Sequence, residues 1–222
     1  MGVFHLWTWV SEEREGKGGR GRLSEIFPKT LPHLTQSLQG YETNRFVTYL
    51  HSLFGANMTS ELTQRYKIGT SGSRWPGATV FWWVDASGNI RAGQAKQFDH
   101  TGHTANSSDG SSRTTWIHSI LKYSHESRKE RLPGWLTAYL EQGGNYASCL
   151  FGEHLLPADT SKPIAIVEAP ATAIVASAYL PAFIWLAAGS LSYLTTERCQ
   201  ALAGRRAYLF PDLSADGRAF AQ

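Results

Sequence analysis

Cysteine is scarce: Cys149 and Cys199 are the two in 222 residues, and they form no C-x-x-C pair. Disulfide scaffolds and zinc ribbons both need more sulfur than this, so a reducing cytoplasm is the expected setting. A secretory leader is not expected either, because the apolar run 3–10 is short, lacks a basic start and leads into charges rather than a small-residue cleavage site. No strong excess of one charge is present. The net charge of +3 and pI near 8.9 permit nucleic-acid binding without demanding it.

Charge also vanishes locally, since Ala169 to Thr196 contains no Asp, Glu, Lys or Arg. A charge-free apolar stretch longer than about 18 residues usually marks a membrane span. Here Pro170, Pro181 and Gly189 divide it into runs too short to cross a bilayer as helices, and no membrane partner is expected.

The last third of the chain carries the strongest positive signal. Ile164-Ala165-Ile166-Val167 ends on Glu168, and Ala207-Tyr208-Leu209-Phe210 ends on Pro211-Asp212. Continuous apolar strands are those buried on both faces, as in a parallel sheet covered by helices. Pro170 suits a first helical turn, and Ala171 to Tyr179 is a small-residue helix stopped by Pro181. Phe183 to Leu186 is the next strand, and Gly189-Ser190 turns the chain. Thr195 or Thr196 is expected to cap a helix through Glu197 and Cys199 to Leu202, closed by Gly204. Both acids would then emerge at the carboxyl edge of one parallel sheet, where open α/β folds place their ligands.

Upstream, Phe46, Val47, Leu50 and Phe54 fall at helical intervals, ended by Gly55 and Asn57, and Thr59 is expected to cap a second helix through Tyr66. Ala78 to Val84 and Ile90 to Phe98 read as a hairpin about the turn Asp85-Ala86-Ser87-Gly88. Trp82 and Trp83 must face opposite sides of their strand. One left exposed beside Arg91 and Lys96 would make a stacking platform for single-stranded bases. Asp99-His100-Thr101-Gly102-His103 fits no zinc spacing and reads as a polar loop. The Ser, Asn and Gly-rich run 104–113 reads as a flexible excursion, and Lys122 to Arg131 as an exposed basic stretch. The run 11–22, with bases and acids interspersed, reads as a solvated linker.

In its order of parts the chain resembles the toprim domain of bacterial primases, topoisomerases and some nucleases. The resemblance rests on Ile166-Val167-Glu168, on Leu186-Ala187-Ala188-Gly189-Ser190 and on Phe210-Pro211-Asp212. Phe81 to Ile90, continuing through Gly93 to Lys96, is similar to the hairpin that precedes toprim in primases, and Cys149-Leu150-Phe151-Gly152 to the linker between them. Most similar are primase-like toprim proteins of bacterial mobile elements, over about Tyr66 to Asp212. The resemblance departs where those domains carry an Asp-x-Asp pair, because Ser214 stands two positions after Asp212, and the zinc ribbon of such primases has no counterpart here.

The resemblance implies an α/β fold, a toprim-like parallel sheet flanked by helices over 149–222, preceded by a smaller α+β subdomain with a β-hairpin over 36–148, while 1–35 reads from its composition as a flexible segment. It implies Glu168 as general acid/base, with Asp212 and Asp216 as ligands of Mg²⁺ or Mn²⁺. The partner would be DNA, single-stranded, with nucleotides as substrates and a replicase, helicase or relaxase of the same element alongside. Arg74, Trp82, Arg91, Lys96 and Arg113 would guide the strand to the acidic site. A non-catalytic DNA-binding remnant and a toprim nuclease are the alternatives.

Overall fold

The computed structural model describes residues 32–141 and 148–212, which divide into two compact units. One contains 32–83 and 88–141, the other 84–87 and 148–212.

In the first unit, helices α1 (Pro32–Ser37) and α2 (Arg45–Arg65) precede strands β1 (Gly69–Thr70), β2 (Thr79–Val84), β3 (Ile90–Lys96) and β4 (Thr114–Trp116), followed by α3 (Ile117–Ser127) and α4 (Gly134–Glu141). The strands form an antiparallel sheet in the order β1-β2-β3-β4. The hairpin expected from sequence is β2 and β3, and Gly88 takes the positive φ of 81° that its turn needs.

Every residue of β2 is buried. Phe81 meets Phe46 of α2, with ring centroids 5.7 Å apart, and Phe98 stacks on Phe46 at 4.8 Å. On the opposite face the Trp82 indole donates from Nε1 to Ser37 Oγ of α1 at 3.0 Å. Gly93 makes room for this ring: a Cβ there would come within 2.6 Å of Trp82 and 2.8 Å of Ile117 of α3. Helices therefore cover both faces of the strand, and neither tryptophan is left in solvent.

The two expected helices before the sheet are α2, bent at Gly55 (φ 74°, ψ 177°). Thr59 does not cap the second half. It lies inside it, its hydroxyl donating to the Gly55 carbonyl at 2.8 Å, the bond a helical threonine makes one turn back. Asn44 caps the first half and does more. Its Oδ1 accepts from Val47 N (3.3 Å) and Thr79 Oγ1 (2.8 Å), while Nδ2 donates to Gly69 O and Thr70 Oγ1, both at 3.1 Å.

The run 104–113, read as flexible, is a hydrogen-bonded arch. Ala105 N donates to Gln97 O, Arg113 N to Ala105 O and Gln97 N to Arg113 O, at 2.8 to 2.9 Å. Its tip is closed by Asp109, whose Oδ1 accepts from the Ser111 amide and hydroxyl, a local turn that composition alone does not reveal.

The second unit holds β5 (Ile164–Val167), α5 (Pro170–Tyr179), β6 (Ile184–Ala187) and β7 (Ala207–Leu209). The sheet is parallel in the order β6-β5-β7, with Ile166 opposite Leu186 and Leu209. One face packs Ile164, Ile166, Ile184 and Leu186 against Leu150, Leu156 and Leu202. The run Cys149 to Gly152 joins the sheet edge, Phe151 and Ala187 exchanging backbone bonds at 2.9 and 3.1 Å.

The expected helix 195–202 is a series of turns ending in the 3₁₀ turn Gln200–Leu202. Within it the buried Arg198 turns back so that Nη1 donates to Tyr193 O at 3.3 Å with its guanidinium 4.4 Å from the Tyr193 ring. Among the described residues no helix is long and apolar enough to cross a membrane.

Candidate functional site

The carboxyl edge of the parallel sheet brings the first set of expected residues together. Past β5, Gly189 N donates to Glu168 O at 2.8 Å and Ala188 N to Val167 O at 3.0 Å, so the Gly189-Ser190 turn lies beside Glu168. On the other side Phe210 N donates to Ile166 O at 2.8 Å, which carries Pro211 and the exposed Asp212 to the same edge. Gly189 has a φ of 87°, which only glycine adopts without strain.

Glu168 precedes the N-cap Ala169 of α5, a place where an acid often serves the helix terminus. It does not do so here. No side chain caps α5, and among the described residues the half-buried Glu168 carboxylate accepts no hydrogen bond and pairs with no base. Asp212 is equally uncommitted. Two carboxylates that no described residue claims are suitable oxygen donors for Mg²⁺, which binds through one or two carboxylates and keeps several waters. Asp216 lies outside the described residues, and among those described no group of three potential ligands forms.

A buried acid that sequence reading missed organises the same unit. Glu153 is 0% exposed; its Oε1 accepts from Ala86 N and its Oε2 from Leu150 N, both at 3.2 Å. It thereby fixes the hairpin tip to the turn before β5. In sequence Glu153 stands between Gly152 and His154 in an otherwise apolar run, and its partner at Ala86 lies far away along the chain. Burial pushes the Cys199 thiol up, the charge of Glu153 adds to this, and Arg198 offsets part of it. Cys199 is thus held as a thiol, poorly suited to act as a nucleophile.

The expected nucleic-acid residues all fall in the first unit, and their roles divide. Trp82 is 1% exposed and Arg91 6%. With helices on both faces of the sheet, neither stands open on the protein surface, so the exposed stacking platform expected of Trp82 and the surface contact expected of Arg91 are corrected. Lys96 is half-buried, its ammonium 5.8 Å from the Phe98 ring centroid, and burial holds its pKa below the usual lysine range. Arg113 precedes Thr114, the partner of Lys96 across the β3–β4 ladder; it lies opposite Gln97 and donates from Nη1 to Gln97 Oε1 at 2.7 Å. Arg74 is exposed in the β1–β2 loop, its guanidinium 4.7 Å from the Trp75 ring. The segment 99–103 is a polar turn in which Asp99 Oδ1 accepts from the amides of Thr101 and His103 and from the Thr101 hydroxyl.

A mixed α/β protein with an antiparallel and a parallel sheet, and at the edge of the latter two carboxylates without partners among the described residues, is the class that fold and site define. The chain belongs to the family described as "Domain of unknown function (DUF6371)", whose model matches residues 44–213. No curated protein and no solved structure matches it.

Proposed function

We propose that this chain is a primase-like toprim protein of a mobile element that acts on single-stranded DNA in the cytoplasm through metal-dependent phosphoryl or nucleotidyl transfer. One observation carries the reading: among the described residues the carboxylate of Glu168, at the end of the central parallel strand, serves neither α5 nor any base, and the ends of both neighbouring strands bring Gly189 and Asp212 to the same edge. Asp212 would hold Mg²⁺ or Mn²⁺, with Asp216 as a second ligand. When bound, the metal would polarise a phosphoryl oxygen and neutralise charge. Glu168 would take the proton of the attacking hydroxyl. Nucleotides are the substrates, and a replicase, helicase or relaxase of the same element is the partner class.

A second reading is a DNA-binding remnant without catalysis, favoured by the lack of a three-ligand group among the described residues and by Ser214 in place of a second aspartate. Primer synthesis on a single-stranded template, together with Mn²⁺ calorimetry, separates the two. The enzymatic reading expects Mg²⁺-dependent product that Glu168→Gln abolishes, and Mn²⁺ binding that Asp212→Ala abolishes and Ser214→Asp tightens. DNA binding that persists with no metal affinity in any variant would leave only the remnant. Mg²⁺-dependent strand cleavage through the same acids would instead identify a nuclease.

A further inference from the structure

The first unit contains a cavity of about 410 Å³, a size at which small-molecule sites begin. Its floor is apolar, made by Val80 and Trp82 of β2 and by Ile117, Ile120 and Leu121 of α3. Its rim is polar on two sides: Ser71, Gly72 and Ser73 of the β1–β2 loop on one, and Ser124, His125 and Arg128 around the end of α3 on the other.

The loop is closed by its own bonds. Ser71 N donates to Ala78 O (2.7 Å), Ala78 N to Trp75 O (2.8 Å) and Ser71 Oγ to Arg74 O (2.6 Å). The successive amides of Gly72, Ser73 and Arg74 donate to nothing among the described residues. Trp75 is held at a φ of 49°, a conformation rare for a bulky side chain. Consecutive unclaimed N–H groups in a tight turn form a concavity for anions.

Across the rim, Arg128 Nη2 and His125 Nδ1 share one oxygen of Glu130, at 3.1 and 3.2 Å. A guanidinium has five N–H donors, so one carboxylate oxygen leaves donors for a second anion. An apolar floor bounded by N–H groups and an arginine calls for a flat ring system carrying a phosphate.

We propose that this cavity binds a nucleoside 5′-phosphate, with the base on the apolar floor and the phosphate between the Gly72–Ser73 amides and Arg128. The choice of a nucleotide among phosphate esters rests on the nucleic-acid reading above.

The test is calorimetric titration of the full chain with adenosine 5′-monophosphate in the presence of EDTA, with adenosine and inorganic phosphate as comparisons. The monophosphate is expected to bind more tightly than either comparison. Arg128→Ala should weaken it about tenfold, the loss of one charge-assisted contact. Glu130→Gln should tighten it, because it removes the carboxylate that competes for Arg128 and His125. Ile120→Trp, which fills the floor from a half-buried position, should abolish it, with circular dichroism reporting that the variant is folded; if it is not, the Arg128 and Glu130 variants decide. No binding at millimolar monophosphate, or an affinity that neither Arg128→Ala nor Glu130→Gln moves, overturns the proposal. The two sources of such a ligand are separated by competition: a single strand with a 5′-phosphate that displaces the monophosphate, where its 5′-hydroxyl counterpart does not, identifies a strand end, and failure of both strands to displace it identifies a free nucleotide. EDTA removes any dependence on the Glu168 site, so failure here and failure of Mn²⁺ binding there are read separately.

Discussion

Asn44→Ala is expected to lower the unfolding free energy of the first unit by roughly 3 kcal/mol, from the loss of an N-cap and the stranding of buried partners. The side chain is 0% exposed and uses both ends of its amide. Oδ1 caps α2 through Val47 N and accepts the Thr79 hydroxyl, while Nδ2 reaches the Gly69 carbonyl and the Thr70 hydroxyl. Alanine would strand these groups where water cannot replace the lost partner. Asn44→Asp should recover part of the loss, because it keeps the acceptor that caps the helix while giving up donation to Gly69 and Thr70. Urea unfolding checks this: the midpoint for Asn44→Ala should fall with an unchanged slope. A shift equivalent to less than about 1 kcal/mol would show that the amide is not the tie between α2 and the sheet.

The second large effect is a dependence on pH. His118 is 2% exposed, between Trp116 at 6.1 Å and Tyr139 at 5.0 Å, and burial lowers its pKa from 6.5 to about 4. The folded protein therefore holds this imidazole neutral, whereas the unfolded chain takes up a proton as pH falls below 6.5. Stability is complete above the unfolded value and declines as pH falls towards 4, by about 1.4 kcal/mol per pH unit and about 3 kcal/mol in all. Asp99, Asp109 and Asp159 are held below the usual carboxylate value of 3.8, first of all by the hydroxyls of Thr101, Ser111 and Ser161, and their contributions are lost only at more acid pH. The loss expected from His118 between pH 6.5 and 4 is thus separate from theirs. Thermal melts across it should show a steep fall in the native protein and a flatter one in His118→Phe. Parallel curves would place the acid sensitivity elsewhere.

The local parts of this fold were legible where one residue type forces one geometry. The run Ile164 to Val167 is β5 at its expected bounds, Pro170 opens α5, and Gly88 turns the hairpin. Each follows from burial, a locked φ or a permitted positive φ within a few residues. What stayed hidden depends on partners distant in sequence. Strand alternation puts Trp82 and Trp83 on opposite faces but cannot tell that α1 and α3 cover one face and α2 the other. Asn44 and Glu153 look like ordinary polar residues until Gly69 and Ala86 are brought to them. The helix expected over 195–202 failed for a related reason, since capping and closing residues were both present, but the buried Arg198 draws the segment back on Tyr193.

The acidic edge lies between these cases. Its strand ends could be read from the apolar runs, and the order β6-β5-β7 brings Glu168, Gly189 and Asp212 to one side. That no described residue engages the Glu168 carboxylate emerged only from its surroundings.

The most direct test of a metal site there is nuclear magnetic resonance with substoichiometric Mn²⁺, which broadens amide signals near the bound ion. Selective loss of the Glu168, Gly189 and Asp212 amides, abolished by Asp212→Ala, is the result expected. Broadening centred elsewhere, or none, would contradict the assignment of this sheet edge as a metal-dependent phosphoryl-transfer site.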